Sequence, residues 1–341
     1  MMMAQGALHY EILLACPEGL RPPAVYADLS GRFDAQLTGD ILERIDKEWA
    51  RRQAENPALY NGSKFRLAYV RRKRAQSRER EAADQPAEEP PQIAVQLGLT
   101  DYRSFIGTNL HVGWQHLVIE DDTPQPPKTK QTLRSRNSGD APSVYTTIWE
   151  GMGMPGLHLA NGLGNAAVVE TSDGGIVLLK RSGLVGECPN AVVLPGGHPE
   201  PSRIGLESVE AWQQLLKTGE RLPKSKQVVE ELFRSIVLEV HEETGIPMEK
   251  LSDPLLLGFT RRVENHRPCM IFKLATTLGR EEVEELYKTS GVKDRFESTR
   301  LFTLSINELI EQVQSNDEEL GVVGDHVGGI KLYEAHVALR N

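Results

Sequence analysis

Apolar residues recur along the chain with two different periods, and these divide it into helix-like and strand-like segments. Val229, Leu232, Phe233, Ile236, Val237 and Val240 return every three or four positions, which places them on one face of a helix. That stripe predicts a helix packed on a sheet, with its polar face turned toward a cleft. Short runs rich in β-branched and aliphatic residues predict strands at Leu8 to Ala15, Lys64 to Val70, Ile93 to Leu97, Gly164 to Glu170, Gly175 to Lys180, Ala191 to Leu194, Leu255 to Thr260, Cys269 to Ala275 and Arg300 to Leu304. Further helices are predicted at Ile41 to Gln53, Arg280 to Lys288, Ile306 to Gln314 and Gly324 to Leu339. Strands and helices alternating in this way predict an α/β fold.

The polar face of the first helix carries the chemistry. Glu239, Glu242 and Glu243 stand at i, i+3 and i+4, so their carboxylates are neighbours. Such a cluster is either an ordinary solvated face or a group of like charges sharing a divalent cation. Gly245 and Ile246-Pro247 then end the helix. Upstream, Leu194-Pro195-Gly196-Gly197-His198-Pro199-Glu200-Pro201 follows the predicted strand at Ala191 to Leu194. A glycine pair there lets backbone approach a ligand or ion closely, which favours the cation.

Strand, glycine loop and carboxylate helix together resemble the Nudix hydrolase superfamily, whose signature reads G-x5-E-x7-R-E-U-x-E-E-x-G-U, with U a bulky aliphatic residue. Glu239, Val240, Glu242, Glu243, Gly245 and Ile246 match every specified position from the helix glutamate onward. Two departures stand out: Leu238 replaces the signature arginine, and the loop after Gly197 is enlarged by a segment at 202–226. Glu230 has the spacing of the first signature glutamate but lies nearly opposite Glu239 on a helical wheel; Glu231 lies closer to the carboxylate side. The resemblance implies a Nudix α/β/α sandwich and hydrolysis of a nucleoside diphosphate derivative. It also implies Mg²⁺ or Mn²⁺ held by Glu239 and Glu243, with Glu242 beside them and a backbone carbonyl of Gly196 or Gly197 completing the shell. One of the three glutamates would activate water.

The segment from Leu97 to Asn109 resembles the uridine diphosphate glucose pyrophosphatase branch of that superfamily, as do Lys64 to Leu67, Pro195 to Pro201, Pro254 to Gly258 and Glu297 to Thr299. The matches run in order over roughly residues 8 to 335. They imply cleavage of UDP-glucose or UDP-galactose to UMP and a sugar 1-phosphate. Tyr102, Arg103, Thr108 and Asn109 offer an aromatic face, a guanidinium, a hydroxyl and an amide that suit a uracil and a diphosphate. The same segment also reads as helix packing followed by a turn. Lys64, Arg66 and His198 are further candidates for substrate contact, and Arg261, Arg262 and Arg300 are undistinguished cations. His241 points away from the carboxylates, as a surface histidine would. Two alternatives remain open: a Nudix hydrolase acting on ADP-ribose, a dinucleotide or coenzyme A, and an inactive module that only binds nucleotide.

Composition narrows the setting. The chain has 341 residues, 39% of them hydrophobic, and a formal charge of −9, which argues against a nucleic-acid groove as the main function. Cys16, Cys188 and Cys269 are far apart and odd in number, a usage that suits a reducing, cytoplasmic setting. No apolar run approaches the length of a membrane span, and Met1 to Gly6 lacks the features of a signal peptide. Arg71 to Arg74, with Arg78 and Arg80, reads as a nuclear-import patch or as the start of a solvated linker. The expected organisation is an N-terminal α/β module over 1–120 with a flexible insertion at 73–92, a linker or mobile insertion over 121–143, and a Nudix domain over 144–341. The substrate pocket is expected between the module and the Nudix sheet.

Overall fold

The computed structural model describes residues 10–72, 91–118, 130–131, 148–149, 152–153, 156–183, 187–289, 297–314 and 321–340. The insertion expected at 73–92 and the linker expected at 121–143 fall almost wholly outside them. The first half of the chain forms β1 (Tyr10–Leu20), β2 (Val25–Leu29), α1 (Gly39–Glu55), β3 (Ser63–Arg72), β4 (Ile93–Asp101) and α2 (Tyr102–Gly107), followed by the two-residue strands β5 (Lys130–Gln131), β6 (Ile148–Trp149) and β7 (Met152–Gly153). The second half forms β8 (Gly164–Glu170), β9 (Gly175–Arg181), β10 (Val192–Val193), α3 (Val209–Thr218), α4 (Ser225–Thr244), β11 (Leu255–Arg262), β12 (Pro268–Ala275), α5 (Arg280–Thr289), β13 (Ser298–Ser305), α6 (Ile306–Gln314) and α7 (Gly324–Arg340). Among the described residues no helix is long and apolar enough to cross a membrane.

A seven-stranded sheet runs β1-β11-β12-β8-β9-β10, with β13 also on β9. Only the β12–β8 pair is parallel, so the sheet is mixed. Side chains alternate between its faces: Ala167, Val169 and Phe272 pack toward Val229, Leu232, Phe233 and Ile236 of α4. Val168 and Ile271 turn the other way, toward Ile330, Leu332 and Tyr333 of α7. The result is an α/β/α sandwich. Its edge strand β1 comes from the segment assigned above to the N-terminal module and pairs with β11 from Tyr10↔Arg262 to Leu20↔Leu256.

The second sheet runs β2-β4-β3-β7. Its inner residues Ala27, Leu29, Phe65, Leu67, Val95 and Leu97 join the same apolar cluster as α4, and the Ala27 N–H donates to Ser225 Oγ at 2.9 Å. α4 therefore lies between two sheets. Its buried positions span a wide arc that includes Val228 as well as the predicted stripe, apart from the half-buried Val237, because it has two apolar partners. The enlarged segment at 202–226 contains α3, started by Ser208, whose Oγ accepts from the Ala211 N–H. α3 buries Trp212 completely and sends its Nε1 to Asp34 Oδ2 at 2.9 Å. The loop is thus stitched to the second sheet.

Candidate active site

Where α4 ends, two carboxylates meet the glycine loop. Gly245 takes the left-handed conformation that closes the helix, with φ of 79°, and His241 Nδ1 donates to the Ile246 carbonyl at 2.8 Å to secure the exit. Glu243 Oε2 accepts from the Gly196 N–H at 2.8 Å, and Glu239 Oε1 from the His198 N–H at 3.3 Å. A Cβ on Gly197 would stand 2.4 Å from the Glu239 carboxyl carbon, and one on Gly196 only 2.2 Å from the Asn165 carbonyl. Only glycine fits either place. Asn165 of β8 fixes the loop from beneath: its Oδ1 accepts from the Gly197 N–H, its N–H donates to the Gly197 carbonyl, and its Nδ2 donates to Ser235 Oγ of α4. Further along, buried Glu231 accepts from the Glu200 N–H at 3.0 Å, while exposed Glu230 pairs with Lys226.

Burial drives the Glu243 pKa well above the usual carboxylate range, and nearby Glu239 adds to the rise. A buried carboxyl in that state, beside a second one and next to backbone oxygens, is a donor set that suits a hard divalent cation. The Gly197 carbonyl is already engaged with Asn165, which leaves the Gly196 carbonyl as the better backbone ligand.

These groups open on a cleft of about 650 Å³ that also takes in Lys64 of β3, Tyr102 of α2, Arg181 of β9, Glu187, Arg267 and Glu297. Lys64 Nζ lies 5.7 Å from the centre of the Tyr102 ring, which meets Trp49 edge to face. Burial and the Arg267 guanidinium lower the Lys64 pKa to about 8, with Glu187, Glu239 and Glu200 opposing. His198 is kept well below its ordinary value by burial and by Lys64 and Arg267, so its ring is neutral. Tyr60 stands at the rim, 76% exposed. Glu239 and Glu243 at the glycine loop form an acidic wall, and Lys64, Arg181 and Arg267 form a basic one interleaved with Glu187 and Glu297, with Arg181 close enough to Glu243 to oppose the rise in its pKa.

Several expected substrate residues are elsewhere. Arg66 is buried and donates to the carbonyls of Leu159, Phe33 and Gly156 at 2.8 to 3.1 Å; it cross-links the second sheet to the 156–163 segment. Arg103 pairs with Asp46 of α1. Thr108 Oγ1 donates to the Ser104 carbonyl and accepts from the Ala160 N–H, and Asn109 Nδ2 donates to Asn161 Oδ1 and the Asn265 carbonyl. These three face neighbouring backbone and side chains instead of the cleft, so the packing reading of that segment describes them; Tyr102 alone of the four lines the cleft. Glu242 is outside the cleft lining. Arg262 and Arg261 are buried in ion pairs with Asp325 and Glu11, and Arg300 lies over Phe302. Sequence reasoning missed Tyr60, Arg181, Glu187 and Arg267 as site residues. The one available signal was Arg267 at the mouth of a predicted strand, close to the turn that begins after Arg262.

Fold and cleft define the class, an α/β/α sandwich whose acidic helix end shares a cleft with cationic side chains. No protein-family model matches the chain. It is 38% identical to Nudix hydrolase 9 of Arabidopsis thaliana, over 95% of this chain and 90% of that protein. It is 30% identical to the uridine diphosphate glucose pyrophosphatase NUDT22 of Mus musculus, over 97% of this chain and 92% of the relative, and 32% identical to the Homo sapiens protein of that name, over 88% and 85%. A solved NUDIX hydrolase from Nitrosomonas europaea is similar over 51% of this chain and 88% of its own, with 18% identity and a TM-score of 0.31. The chain belongs to the Nudix hydrolase family.

Proposed function

We propose that this protein hydrolyses the pyrophosphate of UDP-sugars, UDP-glucose or UDP-galactose, to UMP and a sugar 1-phosphate, using Mg²⁺ or Mn²⁺. The observation that carries the reading is that Glu239 and Glu243 line one cleft together with Lys64, Arg181 and Arg267. The likeness to the two uridine diphosphate glucose pyrophosphatases over nearly the whole chain supports the nucleotide. Glu239, Glu243 and the Gly196 carbonyl would hold the cation, with Glu242 beside them. When bound, the cation neutralises phosphate charge and makes water a stronger nucleophile at neutral pH. The remaining work belongs to the chain. Lys64, Arg181 and Arg267 draw the diphosphate against the basic wall, and the neutral His198 ring bounds the space between the walls. Tyr102 and Tyr60 offer aromatic faces for the uracil or sugar. Three unpaired cysteines, Cys16, Cys188 and Cys269, support action in the reducing cytosol.

The test is product analysis in ¹⁸O water with Mg²⁺ and a panel of UDP-glucose, UDP-galactose and ADP-ribose. UMP and sugar 1-phosphate should form from the UDP-sugars and stop when a chelator is added. Preferential turnover of ADP-ribose would move the substrate, and turnover that survives the chelator would remove the cation.

A further inference from the structure

Behind the basic wall, charged side chains form an unbroken line from α7 to the glycine loop. Asp325, fully buried in the first turn of α7, accepts from Arg262 Nε at 2.9 Å and lies 2.9 Å from Nη2. Arg262 Nη1 donates to Glu187 Oε1 at 3.0 Å, and Arg267 Nη1 donates to Glu187 Oε2 at 2.8 Å. Arg267 Nη2 reaches His198 Nε2 at 3.2 Å, and the His198 N–H donates to Glu239. A guanidinium has no lone pair, so His198 Nε2 accepts and the ring proton sits on Nδ1. Two cations and two anions alternate along the line, each bonded to the next, while Asp325 Oδ2 and Arg267 Nε are buried without a hydrogen-bond partner.

We propose that Asp325 and Arg262, acting through Glu187, are positioning residues that hold Arg267 against the diphosphate, and so support the cleft from which the signature arginine is missing at Leu238. The inference rests on the pyrophosphatase reading of the cleft. An unsupported arginine loses rotamer freedom when it binds substrate; one already braced by a carboxylate that is itself tied to a buried ion pair loses less, and that lowers the cost of binding. Burial makes the brace stiff, because removing one partner strands the other's charge. Cys269, Asp325 and His326 place ligand atoms within 4.8 Å of one another. Asp325 is nevertheless committed to Arg262, and His326 Nδ1 accepts from the Leu194 N–H at 2.8 Å, so this corner belongs to the line of charges.

The test measures binding of inorganic pyrophosphate by calorimetry and steady-state hydrolysis of UDP-glucose for wild type, Asp325→Asn, Arg267→Lys and the double variant. Asp325→Asn should weaken pyrophosphate binding and raise KM about tenfold, with kcat changed by less than about threefold. The double variant should be no weaker than Arg267→Lys alone, since both act on one contact. Asp325→Glu should recover part of the loss. Glu187→Gln, made alongside with its melting temperature, supplies the same comparison where Asp325→Asn does not fold. Additive losses, or a fall in kcat with KM unchanged, overturn the positioning role. Pyrophosphate binding by wild type without UDP-glucose turnover overturns the substrate and leaves the positioning role to be decided by the binding data.

Discussion

The two walls of the cleft are built in opposite ways. The acidic wall comes from two short stretches, Gly196 to His198 and Glu239 to Glu243, joined by two bonds from loop amides to the carboxylates, with Asn165 holding the loop through a third. Helix geometry alone sets the spacing of its carboxylates. The basic wall is collected from β3, β9, the Glu187 turn and the residue before β12, and its Arg267 is held by Glu187, which Arg262 also binds. Local geometry makes the first wall tolerant of distant change. Tertiary packing makes the second sensitive to it.

Breaking the acidic wall should produce the largest effect. Glu243→Gln should lower kcat/KM by about 10² to 10⁴-fold, read by initial rates at saturating Mg²⁺. It should also stabilise the metal-free protein by about 1 to 3 kcal/mol, because a buried charge is removed. The folded-state pKa of Glu243 lies above its unfolded value. Its stabilising contribution is therefore complete below the unfolded pKa and is lost as pH rises through the folded one. Urea melts should show a wider gap between variant and wild type at pH 8 than at pH 5; no gap at either pH would contradict a buried carboxylate.

Arg66 sharpens the comparison from outside the cleft. Arg66→Ala strips donors from three carbonyls and should cost about 2 to 4 kcal/mol of stability while leaving kcat/KM of the folded enzyme within about twofold. A large rise in KM without loss of stability would return Arg66 to the site. Gly197→Ala forces a methyl into the Glu239 carboxyl and should reduce activity about 10 to 100-fold with little change in pyrophosphate affinity. That split separates the walls. The smallest effect concerns Lys64, charged below its pKa of about 8 and neutral above it. Pyrophosphate affinity, measured by calorimetry, should fall about threefold to tenfold from pH 7 to pH 9, and Lys64→Arg should flatten the fall.

Much of the sandwich was legible because alternating and helical periods are local: the α4 stripe, the strands β8, β9, β11 and β12, and the helix-ending Gly245 follow from residues within one or two turns of each other. The acidic wall was legible for the same reason. Asn109, Thr108 and Arg66 were not, since a polar side chain in sequence carries no mark of whether a ligand or a buried carbonyl will meet it. The line from Asp325 to Arg267 was invisible because its members lie on separate elements and only the fold brings them together. Trp212 is similar: nothing in 202–226 announces that Asp34 waits for its indole.

The edge strand β1 has a kinetic consequence. Glu11 and its partner Arg261 are 250 positions apart, so during synthesis the first strand emerges long before the one it must pair with. Contacts so distant slow folding, and a strand kept waiting is open to pairing with other chains. Truncated or stalled products ending before β11 should therefore aggregate, whereas the finished chain supplies the partner of β1 itself.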